Sequence, residues 1–144
     1  MANISKVTAK AGAASCAATR NTRQRAFVLE AVRSLHNHPT SADVYDAVRE
    51  KHPSISRATV YRNLNVLTEQ GEVLHIPVAG GADRYDFRCD CHYHAICREC
   101  GVVYDVEMPS EDLLSSVRDT HGFLIEGFDI IFNGLCPDCA NPKE

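Results

Sequence analysis

"SRATVYRNLNVLTEQGEVLHIPVAGGADRYDF", residues 56–87, carries the clearest architectural signal in the chain. Val60, Leu64 and Leu67 recur at helical spacing, so "SRATVYRNLNVLTEQG" predicts a helix of about four turns. Ser56 is suited to cap its start, and Gly71 to end it in the left-handed conformation. Ala58, Tyr61, Arg62 and Asn65 fall on or beside the opposite face, with Arg57 in the first turn. "EVLHIPV" and "DRYDF" then read as two strands around the turn "AGGA".

Working back toward the N-terminus, "TRQRAFVLEAVRSLH" places Val28, Val32 and Leu35 on one helical face, with Phe27 and Ala31 beside them and Thr22 as the expected N-cap. "HNHPT" breaks that helix, because Pro39 disfavours helical backbone at His38. Thr40 and Asp43 resemble a capping box, ahead of a second helix with Val44 and Val48 on its apolar side. Helix, helix, helix and hairpin is the order of a winged helix. Residues 1–20 are rich in Ala, Ser and Thr and lack a continuous apolar stretch, so they read as a loosely ordered arm and not a signal peptide. No apolar run is long enough to span a bilayer. The expected setting is the cytoplasm, where seven cysteines favour metal binding over disulfides.

Toward the C-terminus the composition changes. Residues 1–88 hold 12 Lys+Arg against 8 Asp+Glu, a net of +4, and residues 89–144 hold 3 against 11, a net of −8. This asymmetry suggests two modules, 1–88 and 89–144, with different partners. In the second, "HYHAIC" and "VVYDVE" are strand-like around "RECG". Ser110 is positioned to cap a short helix with Leu113, Leu114 and Val117. "FLIEGFDIIF" reads as a long apolar strand that faces another protein layer.

Metal-ligand chemistry is dense here. Cys97-Arg-Glu-Cys100 and Cys136-Pro-Asp-Cys139 are two C-x-x-C pairs, which together supply the four sulfurs of a closed, structural Zn²⁺ site. Such a tie matters in a module of about 55 residues, which is marginal by burial alone. Cys89 and Cys91 are left over. They are read as small side chains at the junction, and Cys16 as a bystander in the arm.

His92 and His94 alternate along a strand, so their imidazoles share one side. Asp105 on the next strand, Asp86 at the end of the hairpin and a histidine of the first half are candidate co-ligands. Spacing alone does not select His38 over His36, His52, His75 or His121. Imidazole and carboxylate ligands suit Fe²⁺, Mn²⁺ or Zn²⁺. A zinc deaminase fits poorly, because that chemistry uses H-x-E with P-C-x-x-C, and here the sequences are His92-Tyr-His94 and Cys136-Pro-Asp-Cys139.

"HPTSADVY", "SRATVYRNLNVLTEQGEV", "RYDF", "HYHAICRECG" and "CPDC", in that order, make the chain resemble the ferric uptake regulator family of metal-dependent repressors. It looks most like the peroxide-responsive branch. The resemblance implies an α+β chain: a winged-helix DNA-binding domain, then a small α/β dimerisation domain with a structural zinc. It implies a homodimer on a roughly palindromic DNA operator, with no membrane partner and no enzymatic turnover. It maps the regulatory metal, Fe²⁺ or Mn²⁺, onto His38, Asp86, His92, His94 and Asp105. Asp86 and Asp105 are the branch marker, since the iron-responsive branch typically has Glu there. It implies DNA release after iron-catalysed oxidation of His38 or His92. The helix at 56–70 is expected to enter the major groove, with Arg57, Tyr61, Arg62 and Asn65 on its free face as the contacts. Sibling repressors that sense iron or zinc supply share the same frame. The segment "EGFDII" lacks the histidine of the family's third metal site, so none is expected.

Overall fold

The computed structural model describes residues 20–109 and 113–142. Cys16 and Ser110 lie outside the described residues. The first half comprises α1 (Arg20–Leu35), α2 (Ser41–Lys51), α3 (Arg57–Glu69) and an antiparallel hairpin, β1 (Leu74–Ile76) with β2 (Arg84–Asp86). Its core is built from the stripes expected of an amphipathic bundle. Val28 and Val32 of α1, Val44 of α2, and Val60, Leu64 and Leu67 of α3 are 0% exposed and form one cluster with Tyr85 of the hairpin.

The helix ends follow local chemistry. Thr40 accepts from the Asp43 N–H while the Asp43 carboxylate accepts from the Thr40 N–H, a complete capping box. Ser56 caps α3 by accepting from the Thr59 N–H. Gly71 follows α3 at φ 70°, which an L side chain resists. Thr22 does not cap α1. Arg20 and Asn21, the first described residues, are already helical, so Thr22 lies inside helical backbone, and nothing in residues 20–22 breaks it.

The second half is a three-stranded sheet in the order β4 (Val103–Val106), β3 (Tyr93–Cys97), β5 (Ile131–Gly134), closed by the short helix α4 (Pro137–Ala140). β3 pairs antiparallel with β4, setting His94 opposite Asp105, and parallel with β5. Two expectations need correction. "FLIEGFDIIF" is not one long strand. Its ladder to β3 begins only at Ile131, opposite His94, so the residues before it have no paired neighbour there despite their apolar character. Leu113, Leu114 and Val117 do not share a helix. Leu113–Ser116 forms a single 3₁₀ turn that ends in two serines, residues that compete with helical backbone bonds, and Val117 lies beyond it.

The two halves share apolar packing. Ile76 and Val78 of the hairpin segment are buried in a cluster with Ile96 and Val103 of the sheet, and Ile131 packs against it. Hydrophobic contact therefore crosses the 88/89 boundary suggested by charge.

Candidate metal centres and nucleic-acid interface

Residues 38–40 are held against the hairpin. The Tyr85 N–H donates to the Pro39 carbonyl at 2.9 Å, Thr40 bridges to Arg84, and the Arg84 guanidinium donates to the His38 carbonyl at 3.3 Å. His38 takes a left-handed conformation, φ 53°, which is uncommon for a residue with a side chain. This aims its imidazole across to the second half.

There it meets Asp86, His92, His94 and Asp105, with one ligand-type atom from each of the five lying within 4.8 Å of the others. The Asp86 Oδ2 faces Nε2 of His92 at 2.8 Å, of His94 at 3.3 Å and of His38 at 3.5 Å. The Asp105 Oδ1 faces Nε2 of His38 at 2.7 Å and of His92 at 3.4 Å. His38, Asp86 and His94 are buried, and Asp105 stands at the rim. The His92 Nδ1 lies 2.9 Å from the Asp90 carbonyl, and a proton donated there leaves Nε2 free as a ligand.

The electrostatics fit a cation. Burial alone would push the His38 imidazole down, but Asp86 and Asp105 outweigh it and hold it above its ordinary value. Burial opposes ionisation of Asp86, yet the hydrogen bonds from His38, His94 and the Arg88 N–H hold its carboxyl well below the usual carboxylate range. Three imidazoles and two carboxylate oxygens around one point suit Fe²⁺, Mn²⁺ or Zn²⁺. His36, His52, His75 and His121 are not in this group. His52 stacks on Phe27 and His75 pairs with Asp83, ordinary structural roles.

Cys97, Cys100, Cys136 and Cys139 form a second group. Cys97 ends β3, Cys100 sits in the turn closed by the Gly101 N–H donating to the Cys97 carbonyl, Cys136 is the residue before α4, and Cys139 lies within it. The Cys100 and Cys136 sulfurs are 3.7 Å apart. Tetrahedral Zn²⁺ with Zn–S bonds of about 2.3 Å sets sulfurs about 3.8 Å apart, so the spacing fits. Backbone N–H groups of Cys100 and Cys136 push the Cys97 thiol down to about 6. The Val102 N–H favours the Cys100 thiolate, but Cys97 and burial outweigh it and push that thiol up. Cys139 is pushed up chiefly by Cys136. Crowded sulfurs resist ionising together, and a divalent cation removes that conflict. Cys89 and Cys91 are exposed and join neither group.

On α3, the side chains of Arg57, Tyr61, Arg62 and Asn65 are exposed, opposite the buried stripe. The Arg57 guanidinium lies 4.5 Å from the centre of the Tyr45 ring, which braces it at the helix start. Two features were not singled out from sequence. Asn63 is buried and donates to the Thr59 carbonyl inside α3. Arg88, the last residue of the first module, reaches three carboxylates, Asp90, Asp105 and Glu107. A lone cation among acids was its available signal.

Comparison with known proteins agrees with this frame. The chain is 42% identical over 123 residues to the transcriptional regulator FurA of Mycobacterium tuberculosis, covering 84% of this chain and 83% of that one. It is 36% identical over 125 residues to the peroxide operon regulator of Bacillus subtilis, covering 86% of each. The crystal structure of the Campylobacter jejuni peroxide stress regulator superposes with a TM-score of 0.69 at 31% identity, covering 83% of this chain and 91% of that one. The Helicobacter pylori ferric uptake regulator gives a TM-score of 0.74 at 22% identity over 87% of this chain and 85% of that one, a likeness of fold. The sequence pattern of the ferric uptake regulator family matches residues 17–133, and the chain belongs to this family of metal-responsive transcriptional regulators.

Proposed function

We propose that the chain is a cytoplasmic, homodimeric repressor that releases its operator when peroxide oxidises a histidine of the five-residue centre. One observation carries the reading: three imidazoles and two aspartate oxygens converge on one point, with ligands drawn from both halves. His38 comes from the segment before α2 and Asp86 from the hairpin, while His94 and Asp105 come from the sheet and His92 from the residue that leads into β3. A cation gripped there holds the halves at one angle. In a two-fold dimer that angle sets the distance between the two α3 helices, which must match half-sites on a roughly palindromic DNA. Phe123, Leu124, Phe128, Phe132 and Leu135 are exposed apolar side chains available to a second copy. Zn²⁺ on Cys97, Cys100, Cys136 and Cys139 ties α4 to β3.

Fe²⁺ held by these residues would activate H₂O₂ beside its own ligands, the two electrons that reduce the peroxide coming from the ring that is oxidised. The imidazole of His38 or His92 takes up one oxygen atom at a ring carbon, and H₂O₂ leaves the other as water. The modified ring is a poorer ligand, so His38 loosens from the sheet, the inter-half angle is released and α3 leaves the groove. Two short aspartates, with similarity to named peroxide regulators, favour this reading over sensing of iron or zinc supply.

Mass spectrometry after dilute peroxide tests it. One added oxygen on His38 or His92, present with Fe²⁺, absent with Mn²⁺ and accompanied by loss of DNA binding, is the expected result. Disulfide formation with unmodified histidines and lost DNA binding refutes it. DNA binding that tracks metal supply and ignores peroxide assigns the chain to the sibling class.

A further inference from the structure

The two aspartates of the five-residue centre present only one oxygen each, and a single residue occupies both of the others. The Arg88 N–H donates to the Asp86 Oδ1 at 2.8 Å, while its guanidinium Nη1 donates to the Asp105 Oδ2 at 3.3 Å. The opposite oxygens, Asp86 Oδ2 and Asp105 Oδ1, are the ones that face the imidazoles. Arg88 also reaches a third ligand indirectly. Its Nε and Nη2 grip the Asp90 carboxylate at 2.9 and 2.7 Å, and the Asp90 carbonyl meets the His92 Nδ1. Glu107, 2.7 Å from Nη1, completes the hold on the guanidinium.

From this we infer that Arg88 is a positioning residue of the regulatory centre. Its backbone N–H holds the outer oxygen of Asp86, and its side chain, the part that substitution tests, keeps Asp105 a one-oxygen ligand and fixes the orientation of His92 through Asp90. The inference rests on the metal-binding reading of that centre. A carboxylate with a free second oxygen can swing to bind through both. Asp105, exposed at the rim, has that freedom unless its outer oxygen is engaged. Holding it to one oxygen leaves room around the cation for a small reactant such as peroxide. Arg suits the task because its planar fork serves Asp90 with one edge while Nη1 points elsewhere, which the point charge of Lys cannot reproduce. The Arg88 side chain is about one-third exposed, so its ion pairs add little to overall stability. Its effect therefore belongs in the metal site and not in the melting curve.

The test compares wild type, Arg88→Ala and Arg88→Lys as zinc-loaded full chains. Mn²⁺ affinity is measured by chelator competition and the ligand field by electron paramagnetic resonance of bound Mn²⁺, with zinc content and thermal melting followed alongside. Arg88→Ala is expected to weaken Mn²⁺ binding about ten- to a hundredfold, the usual effect of losing an outer-shell partner, and to change the Mn²⁺ spectrum while zinc and melting stay as in wild type. Arg88→Lys is expected to recover only part of the affinity. Arg88→Ala binding within twofold of wild type with an unchanged spectrum overturns the inference, and so does full recovery of both by Arg88→Lys, which would reduce the role to charge. If Arg88→Ala loses zinc or fold, Arg88→Lys is judged alone: unchanged affinity and spectrum overturn the inference, and weaker binding with a changed spectrum supports it. Wild type that takes up no Mn²⁺ overturns the metal centre itself, whereas Mn²⁺ uptake by wild type with indifferent variants overturns the role of Arg88 alone.

Discussion

Ile76→Ala separates the packing between the halves from the packing within them. Ile76 is 3% exposed and belongs to the hairpin, yet it packs in the cluster of Ile96 and Val103. The substitution removes three carbons, about 2.4 kcal/mol of transfer free energy at 0.8 kcal/mol per buried CH₂, before any cavity penalty. If that contact exists only when the halves are closed on the metal centre, the closed population falls relative to the open one. At 1.4 kcal/mol per factor of ten, the drop is about 50-fold. The apparent Kd for Mn²⁺ equals the intrinsic value divided by the closed fraction, so it rises by up to about 50-fold where the metal-free wild type is mostly open. The assay is Mn²⁺ titration of zinc-loaded protein by chelator competition, with operator binding measured at each Mn²⁺ concentration. Val32→Ala is the control. Val32 is 0% exposed in the separate helical cluster, so it should lower melting without moving the Mn²⁺ midpoint. An Ile76→Ala protein that melts lower but binds Mn²⁺ within twofold of wild type would refute the coupling through this cluster.

Cys136→Ser should lose the zinc together with the stable second half, because binding at such a site is largely folding free energy; a folded, zinc-free dimer would contradict this. Tyr61→Ala should reduce discrimination between operator and random DNA, and Arg62→Ala should weaken binding to both and flatten the salt dependence by about one unit of slope; unchanged binding in both variants means that another face reads the DNA. The His38 imidazole is held above its ordinary value of 6.5, so metal-free protein draws stability from its protonated form at pH below that value and loses it as pH rises through the folded value. Mn²⁺ must displace that proton, so affinity should rise with pH across the range just above 6.5. A His38→Ala variant should lose both the tight binding and this pH slope, and a flat wild-type profile would count against the assignment.

Local chemistry was enough to anticipate most helical and capping features. The helical stripes at Val28/Val32, Val44/Val48 and Val60/Leu64/Leu67, the Thr40–Asp43 box and the Gly71 ending all depend on residues within a few positions of one another, and all are present. The hairpin and the β3–β4 pair were legible for the same reason, and the C-x-x-C pairs announced four sulfurs by spacing alone. Apolar content misled at "FLIEGFDIIF", because it signals burial or a partner surface but carries no information about where a backbone ladder begins. The reading of Thr22 failed because a good cap does not oblige a helix to start there. Spacing left the remaining histidine ligand open among five candidates, and the family resemblance pointed to His38. Only the tertiary structure brings His38, and none of the others, to the sheet residues, because the hydrogen bond from Tyr85 to Pro39 and the bond from Arg84 to the His38 carbonyl join segments more than forty positions apart. Arg88 was out of reach for the same physical reason. Its meaning lies in which oxygen of Asp86 and which of Asp105 it occupies, and that geometry exists only once the hairpin and the sheet have met.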